Sequence, residues 1–488
     1  MMSDGVTQVT IDPTHGIEME IKNFGANLVF EPQSFFSPRS EKEVLAILGR
    51  CRGHNIRTIG RLHSWSDAPR GDDVLLDLRH LNSVNIEERD GGVWATIQAG
   101  CQIKKVITEL ERRAKATLPS LGLITEQTIA GAISTGTHGS GKHSISHYID
   151  EVTIATYDAA TGEPVIRTIN GGDELLGARC SLGCMGVILT VSLRCRTQYC
   201  VEEHVRLYRH CEDVLAAEED YPLQHFFLVP FLWKFLTQHR REVVARRSLL
   251  APVYALYWFF GIDLGLHLVL GVLTKVFRSR KLIRFFYRYV VPVTILRGWK
   301  VVDTSQKILT MEHELFRHIE IEVFVKRDQL VDMLRFVRQF VQYCDGQPDA
   351  FDETTWNQLA GHDASESLRA MLGDYTHHYP ICVRKVLPDS TLVSMASGGE
   401  EPYYALSFIS YNRLQDRDSF FRFANVLART TAILFGARPH WGKICPIDSQ
   451  LADQLYPRLP EFRRVCDAMD SGGVFRNPWL KDVIFNDR

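Results

Sequence analysis

The chain has no CxxC pair, and its eleven cysteines are an odd number scattered from Cys51 to Cys466. That pattern excludes a zinc ribbon and a disulfide framework, and it makes a reducing, cytoplasmic setting the expectation. The first 25 residues hold several acids and no apolar run, so no secretory signal is expected. No G-x-G-x-x-G follows an early strand, which argues against a Rossmann nucleotide site. Repeats and low-complexity tracts are also missing. Charge of one sign is not in surplus: 56 Lys+Arg face 58 Asp+Glu, and a net charge of −2 argues against a general nucleic-acid binder.

What is present is a globular composition. With 488 residues, 45% hydrophobic and 23% charged, the chain has room for two or three domains with real cores. Apolar residues at helical spacing predict helices over 41–53, 103–114 and 328–344. Short β-rich runs predict strands at 56–60, 73–78, 93–100, 186–195, 319–325 and 403–411, and a hairpin over 151–167. Helices and strands interleave up to about residue 196, an α+β pattern.

Charge is unevenly placed. Between Lys234 and Lys300 stand thirteen Lys/Arg and two acids, Glu242 and Asp263, a surplus of +11 that leaves −13 for the rest of a chain whose total is −2. Within it, 249–277 is long enough to span a bilayer, but Asp263 and His267 sit near its middle, where a charge is costly. Three readings stay open for this basic-apolar region: peripheral contact with anionic lipid, which fits best, buried helices that cap a pocket, and a transmembrane helix.

Four stretches carry candidate chemistry. In "TLPSLGLITEQTIAGAISTGTHGSG" (117–141), Gly131, Gly136, Gly139 and Gly141 stand among Thr and Ser, a composition suited to a phosphate nest. Its end, "GTHGSGKH", misses the Walker A pattern because His143 replaces the magnesium-binding hydroxyl. His138, His143 and His147 lack a zinc spacing, so no metal site is expected. "SLGCMGVILTVSL" (181–193) places Gly183 and Gly186 before a strand. "GARPHWGKICP" (436–446) sets Arg438, His440 and Lys443 around Trp441, a group fit for an anion or an electron-rich ring, or an ordinary loop. "RTIGRLHSWSD" (57–67) puts His63 after a glycine turn; core histidine, metal ligand, catalytic base and cofactor contact are all open to it.

In order along nearly the whole chain, "GRLHSWSD", "TEQTIAGAISTGTHGSG", "SLGCMGVILTVSL", "RPHWGK" and "YPRLPEF…GGVFRNPWL" resemble the FAD-linked oxidoreductases of the vanillyl-alcohol-oxidase superfamily. The nearest likeness is to the aldonolactone oxidase branch, and only about 200–300 is poorly covered. The resemblance implies a two-lobed PCMH-type FAD-binding domain over 25–196. An α+β substrate or cap domain would follow over 197–430, with a basic-apolar helical segment at 234–300, and 431–488 would return to the flavin. It assigns Thr58, Ile59, Gly60, Arg61, Leu62, His63 and Ser64 to the FAD pyrophosphate. Thr128, Gly131, Thr135, Gly136, Thr137 and His138 form a second wall, and Val187 and Ile188 the adenosine side. His63 matches the histidine that many members join covalently to the flavin 8α-methyl, although Leu62 stands where many have Gly.

The implied chemistry is hydride transfer from a CH–OH carbon to flavin N5, with oxygen or another acceptor. Lys443 matches the lysine of the HWxK motif, and Arg384 the arginine of a Glu-x-Arg pair. The glutamate of that pair is here Cys382, and Glu322 in "IEIEVFV" is the candidate replacement carboxylate. A sugar lactone or polyol is the expected substrate. The alternatives are a less polar, lipid-borne alcohol oxidised by a membrane-associated dehydrogenase, and a flavin-binding protein whose site has decayed.

Overall fold

Side-chain period decides the architecture. A computed structural model describes residues 19–311, 316–411, 413 and 417–487; the acidic stretch before residue 19, where no secretory signal is expected, lies outside them. Strands Ser34–Phe36, Val74–Asp77 and Ile56–Ile59 form a small parallel sheet in that order. A five-stranded antiparallel sheet runs Pro164–Ile169, Ile149–Tyr157, Val187–Arg194, Gly92–Gln98, Val84–Arg89, and the expected hairpin is its edge. Helix Ile103–Ala114 buries Ile103, Val106, Ile107 and Leu110, has Arg112 and Arg113 in its last turn, and stops at Lys115 in the left-handed region (φ 51°). Both sheets share one core, and Leu459, Phe462 and Val465 of the C-terminal helix Leu459–Met469 complete it.

The second half is an eight-stranded antiparallel sheet. Its order is Val301–Thr304, Cys200–Tyr208, Lys234–Val243, His225–Val229, Ile381–Val386, Tyr403–Ser410, Ile319–Lys326, Arg438–Pro439. Period-2 alternation gives each strand two faces. Ile319, Ile321, Val323 and Val325 join Ile381, Val383, Leu406 and Phe408 against helices Leu330–Cys344 and Asp418–Phe435. Glu320, Glu322 and Arg384 take the opposite face, which lines a cleft toward the first half.

The stretch 234–300, expected to be helical throughout, is helical only from Ala251. Lys234–Val243 is an interior strand, because its two arginines meet acids in cross-strand register: Arg240 pairs with Glu203 and Arg241 with Glu202. Arg247 and Lys300 likewise reach Asp303 and Glu202, so acids from outside the segment offset part of its surplus. Beyond it, a helical stretch Ala251–Phe277 turns at Arg278 (φ 49°) into a second one from Arg280 to Thr294. Leu270, Ile283, Tyr287, Val291 and Ile295 seat this pair on Val205, Val229 and Leu236 of the sheet.

Arg57 ties the first half to the chain's end. Only 4% exposed, it donates to the carbonyls of Leu182 (2.8 Å), Gly183 (3.0 Å), Ala68 and Phe475. Asn477 adds donations from its amide to the carbonyls of Asp67, Ala68 and Arg70.

Arg57→Met strands these buried carbonyls, and we expect a loss of about 3–5 kcal/mol in denaturant unfolding of the holoprotein. A second expectation concerns pH. Burial holds the imidazoles of His377 and His378 down, to about 3 and about 4. Between those values and about 6.5 the unfolded chain binds more protons than the folded one. Stability therefore falls on acidification through that window, by up to about 1.4 kcal/mol per pH unit for each histidine. His377→Phe should flatten the decline of Tm with falling pH; an unchanged slope refutes the assignment.

Candidate active site

The cleft between the two halves encloses about 1850 Å³ of space, its open mouth included. Thr58 to Ser64, Thr128, Gly131, Thr135, Thr137, His138, Ile188, Glu322, Arg384 and Lys443 all line it. Gly136 and Val187, expected among them, do not. Gly136 turns in the left-handed region (φ 73°), where a Cβ would stand 3.1 Å from the Met395 methyl, and Val187, fully buried, belongs to the core. Gly186 lines the cleft in its place. Gly139 and Gly141, expected in the nest, serve packing instead: a Cβ would stand 2.3 Å from Leu121 O and 1.9 Å from Pro222 O.

The loop after strand Ile56–Ile59 is shaped by close approach. A Cβ on Gly60 would lie 2.2 Å from Thr128 Oγ1, so only glycine lets the two walls meet. Leu62 adopts φ 53°, a left-handed conformation that costs a leucine about 1 kcal/mol. That explains why glycine suits this position; here burial among Ile21, Leu28, Phe30 and Ile59 offsets the strain. His63 stacks on Phe24 (5.1 Å between centroids, 10° interplanar). Its Nδ1 lies 3.0 Å from Arg61 O, and a carbonyl only accepts, so in the neutral ring Nε2 carries the lone pair.

The chain's end closes this loop. Trp65 N–H (2.9 Å) and Ser64 Oγ (3.2 Å) both donate to Gly442 O, and Ser66 Oγ donates to Trp441 O (2.6 Å). Strand Ile319–Lys326 holds the same turn from the other side, since His440 and Ile444 N–H donate to Glu322 O and Glu320 O. Only part of the expected 438–443 cluster faces the cleft. His440, Gly442 and Lys443 do; Arg438 is spent on the carbonyls of Leu455, Met395 and Ser397, and Trp441 on Val393 O. The indole beside Lys443 is Trp65, 4.3 Å from Nζ to ring centroid.

Two carboxylates organise the cationic end. Glu322, 1% exposed, accepts from Ser407 Oγ (2.6 Å) and faces Arg384 Nη1 (3.7 Å) and His138 Nε2 (3.5 Å). Burial works to raise its carboxyl, but His138, then His440 and Lys443, outweigh burial and hold it well below the usual carboxylate range. Cys382 and Glu322 both pair with Ser407, so the carboxylate missing at 382 reappears two strands away, about 10 Å, within reach of the long Arg384 side chain. Burial raises the Cys382 thiol, which stays neutral. Burial holds His440 to about 3; its Nδ1 accepts from Gly442 N–H (2.9 Å), leaving Nε2–H as a donor. Glu320, absent from the expected set, holds Lys443 Nζ at 2.5 Å. The i, i+2 spacing of the two glutamates on one strand was the available signal for it. Asp263, His267, His318, Tyr379 and Tyr411 also line the cleft without a motif to announce them.

Comparison with known proteins agrees with this geometry. Residues 32–165 match the FAD binding domain family, and 255–483 the D-arabinono-1,4-lactone oxidase family. A protein of an uncultured marine euryarchaeote named long-chain alcohol oxidase is 50% identical over 95% of this chain and 96% of its own length. L-gulonolactone oxidase of Mus musculus is 23% identical over 96% and 100%. L-gulono-1,4-lactone dehydrogenase of Mycobacterium tuberculosis is 25% identical over 95% and 98%. Among solved structures, cholesterol oxidase from B. sterolicum superposes with a TM-score of 0.71 at 12% identity, over 98% of this chain and 100% of that one. The fold is therefore α+β with a PCMH-type FAD-binding half.

FAD is the cofactor, and the cleft fits it. It draws on both halves, and glycine at position 60 lets its wall approach Thr128. Two half-buried cationic side chains, Arg384 and Lys443, line the cleft. The chain belongs to the FAD-linked oxidoreductases of the vanillyl-alcohol-oxidase superfamily, in the aldonolactone oxidase branch, and is an enzyme acting on CH–OH donors.

Proposed function

We propose that the enzyme oxidises the hydroxyl-bearing carbon of a long-chain, weakly polar alcohol, with oxygen or another acceptor downstream. The observation that carries this is the apolar wall of the cleft, Leu123, Ile124, Met311, Phe316 and Ile409, together with the loss of a carboxylate at position 382, where the branch has a glutamate and this chain a buried, neutral thiol. A thiol is a poor partner for polyol hydroxyls, and apolar walls favour an alkyl chain. The long-chain alcohol oxidase, 50% identical, supports the same reading. Of residues 234–300, the helical part from Ala251 on would meet the membrane surface that supplies such a substrate; strand Lys234–Val243 lies inside the sheet.

Bound FAD supplies the hydride acceptor. Thr58 to Ser64 line one wall for it, and Thr128, Gly131, Thr135, Thr137 and His138 line the other. His63 Nε2, with its lone pair, is the proposed covalent anchor. Lys443 and Arg384 answer the negative charge that develops on oxidation. Glu320, beside Lys443, takes the hydroxyl proton, and Glu322 orients Arg384 and His138.

A second reading, a sugar lactone or polyol, is favoured by the buried Glu320 and Glu322 carboxylates, which can accept several hydroxyl hydrogen bonds. Anaerobic mixing of the holoenzyme with dodecanol, L-gulono-1,4-lactone or xylitol separates the two. We expect dodecanol to bleach the flavin at least tenfold faster; bleaching by the lactone alone establishes the second reading, and bleaching by none of them a decayed site. Lys443→Met and Glu320→Gln should each slow bleaching about 10²-fold while FAD stays bound. Acid precipitation should leave yellow colour in the wild-type pellet and move it to the supernatant in His63→Ala. Colour in the wild-type supernatant removes His63 as the link.

A further inference from the structure

The helical pair 251–294 leaves its outer face uncovered. Among the described residues, sixteen of the nineteen exposed large hydrophobic side chains lie between Val244 and Leu296, so the exposure is concentrated on one feature of the fold. On Ala251–Phe277 they include Val253, Leu256, Phe260, Val272, Val276 and Phe277. On the second stretch Leu282, Phe285, Tyr289 and Val293 continue the patch. A soluble surface rarely carries so much contiguous apolar area without a partner.

Charge says which partner. From Val243 to Lys300 the one acid is Asp263, and it lines the cleft rather than the patch. Arg246, Arg278, Lys281, Arg288 and Arg297 are exposed around the apolar residues. An apolar surface ringed by cations is complementary to an anionic lipid leaflet. Trp258 and Trp299 sit with Tyr254 and Tyr257 in one aromatic cluster beside it, residue types suited to the headgroup level.

The same geometry argues against a span. Ala251–Phe277 is long and apolar enough to cross a bilayer, about 40 Å of helix. Yet Asp263 and His267, near its middle, line the flavin cleft, while Leu270 is fully buried against the sheet. Tyr257 Oη donates to Thr294 O (3.0 Å) and keeps the two stretches side by side on one face.

We propose that residues 249–296 dock the enzyme on one leaflet of an anionic membrane, with helix Ala251–Phe277 as the wall between lipid and flavin cleft. Its outer side chains enter the acyl boundary, and Asp263 and His267 look into the cleft. A lipid-dissolved alcohol then reaches the cleft around this wall without crossing bulk water. The delivery step rests on the proposed substrate; the docking does not.

The test is flotation of the holoenzyme with vesicles of phosphatidylcholine alone or mixed with phosphatidylglycerol. We expect at least tenfold more binding to the mixed vesicles, reversal in high salt, and release by alkaline carbonate. Leu256→Glu/Phe260→Glu and, separately, Lys281→Glu/Arg288→Glu should each lower binding at least tenfold while flavin reduction by dissolved hexanol stays within twofold. Resistance to carbonate would show a span and overturn the proposal. Equal binding to neutral vesicles would overturn its lipid specificity. Absence of vesicle binding, with a dimer that these variants dissociate, would assign the patch to a second copy of the chain. If vesicles bind but vesicle-borne dodecanol never reduces the flavin, the docking stands and the substrate reading fails.

Discussion

The active end of the cleft depends on one buried anion, Glu322. A carboxylate with 1% exposure is tolerable only when its oxygens are met, and the partners come from segments far apart in sequence: His138, Arg384 and Ser407. Meeting that requirement draws the glycine-rich loop of the first half onto the sheet of the second. It also explains how the chain keeps a charged Arg384 in place although the residue two positions before it is a neutral cysteine.

The second constraint is closure. The turn 440–444 is hydrogen-bonded on one side to Ile319–Lys326 and on the other to Ser64, Trp65 and Ser66. Lys443 therefore stands between a strand that carries Glu320 and a loop that carries Trp65. Arg57 repeats the arrangement at the back of the same loop, joining 182–183 to Phe475 through carbonyls. The loop 58–66 and the eight-stranded sheet, which wall the cleft from its two sides, are thus fixed to each other by the last part of the chain, as chemistry that tolerates little misplacement requires.

Much of this was legible in advance where local physics dominates. The helix at 103–114 and the strand at 319–325 showed in their periodicity, because burial on one face writes a repeat of 3.6 or 2 into the residues. Lys234–Val243 was not legible as an interior strand, since the acids that neutralise Arg240 and Arg241 lie more than thirty residues upstream. The glycines of 131–141 looked alike in sequence, yet only Gly131 lines the cleft; the others turn the chain or let carbonyls pass close behind them. Arg438 and Trp441 read as ligand-binding residues for the same reason: type is visible in the sequence, direction is not.

By itself the sequence determined the family, the cofactor and the two loops, 58–64 and 128–138, that wall much of the flavin cleft, because those rest on short motifs whose backbone shape is local. The sequence offered Glu322 as a candidate for the missing carboxylate, but only tertiary structure puts it in one row of the sheet with Cys382, because cross-strand register pairs both with Ser407. Tertiary structure also decided the disposition of the basic-apolar segment. Composition showed that helix Ala251–Phe277 could meet lipid, but only its packing on the sheet puts Asp263 and His267 into the cleft and leaves its apolar side outward.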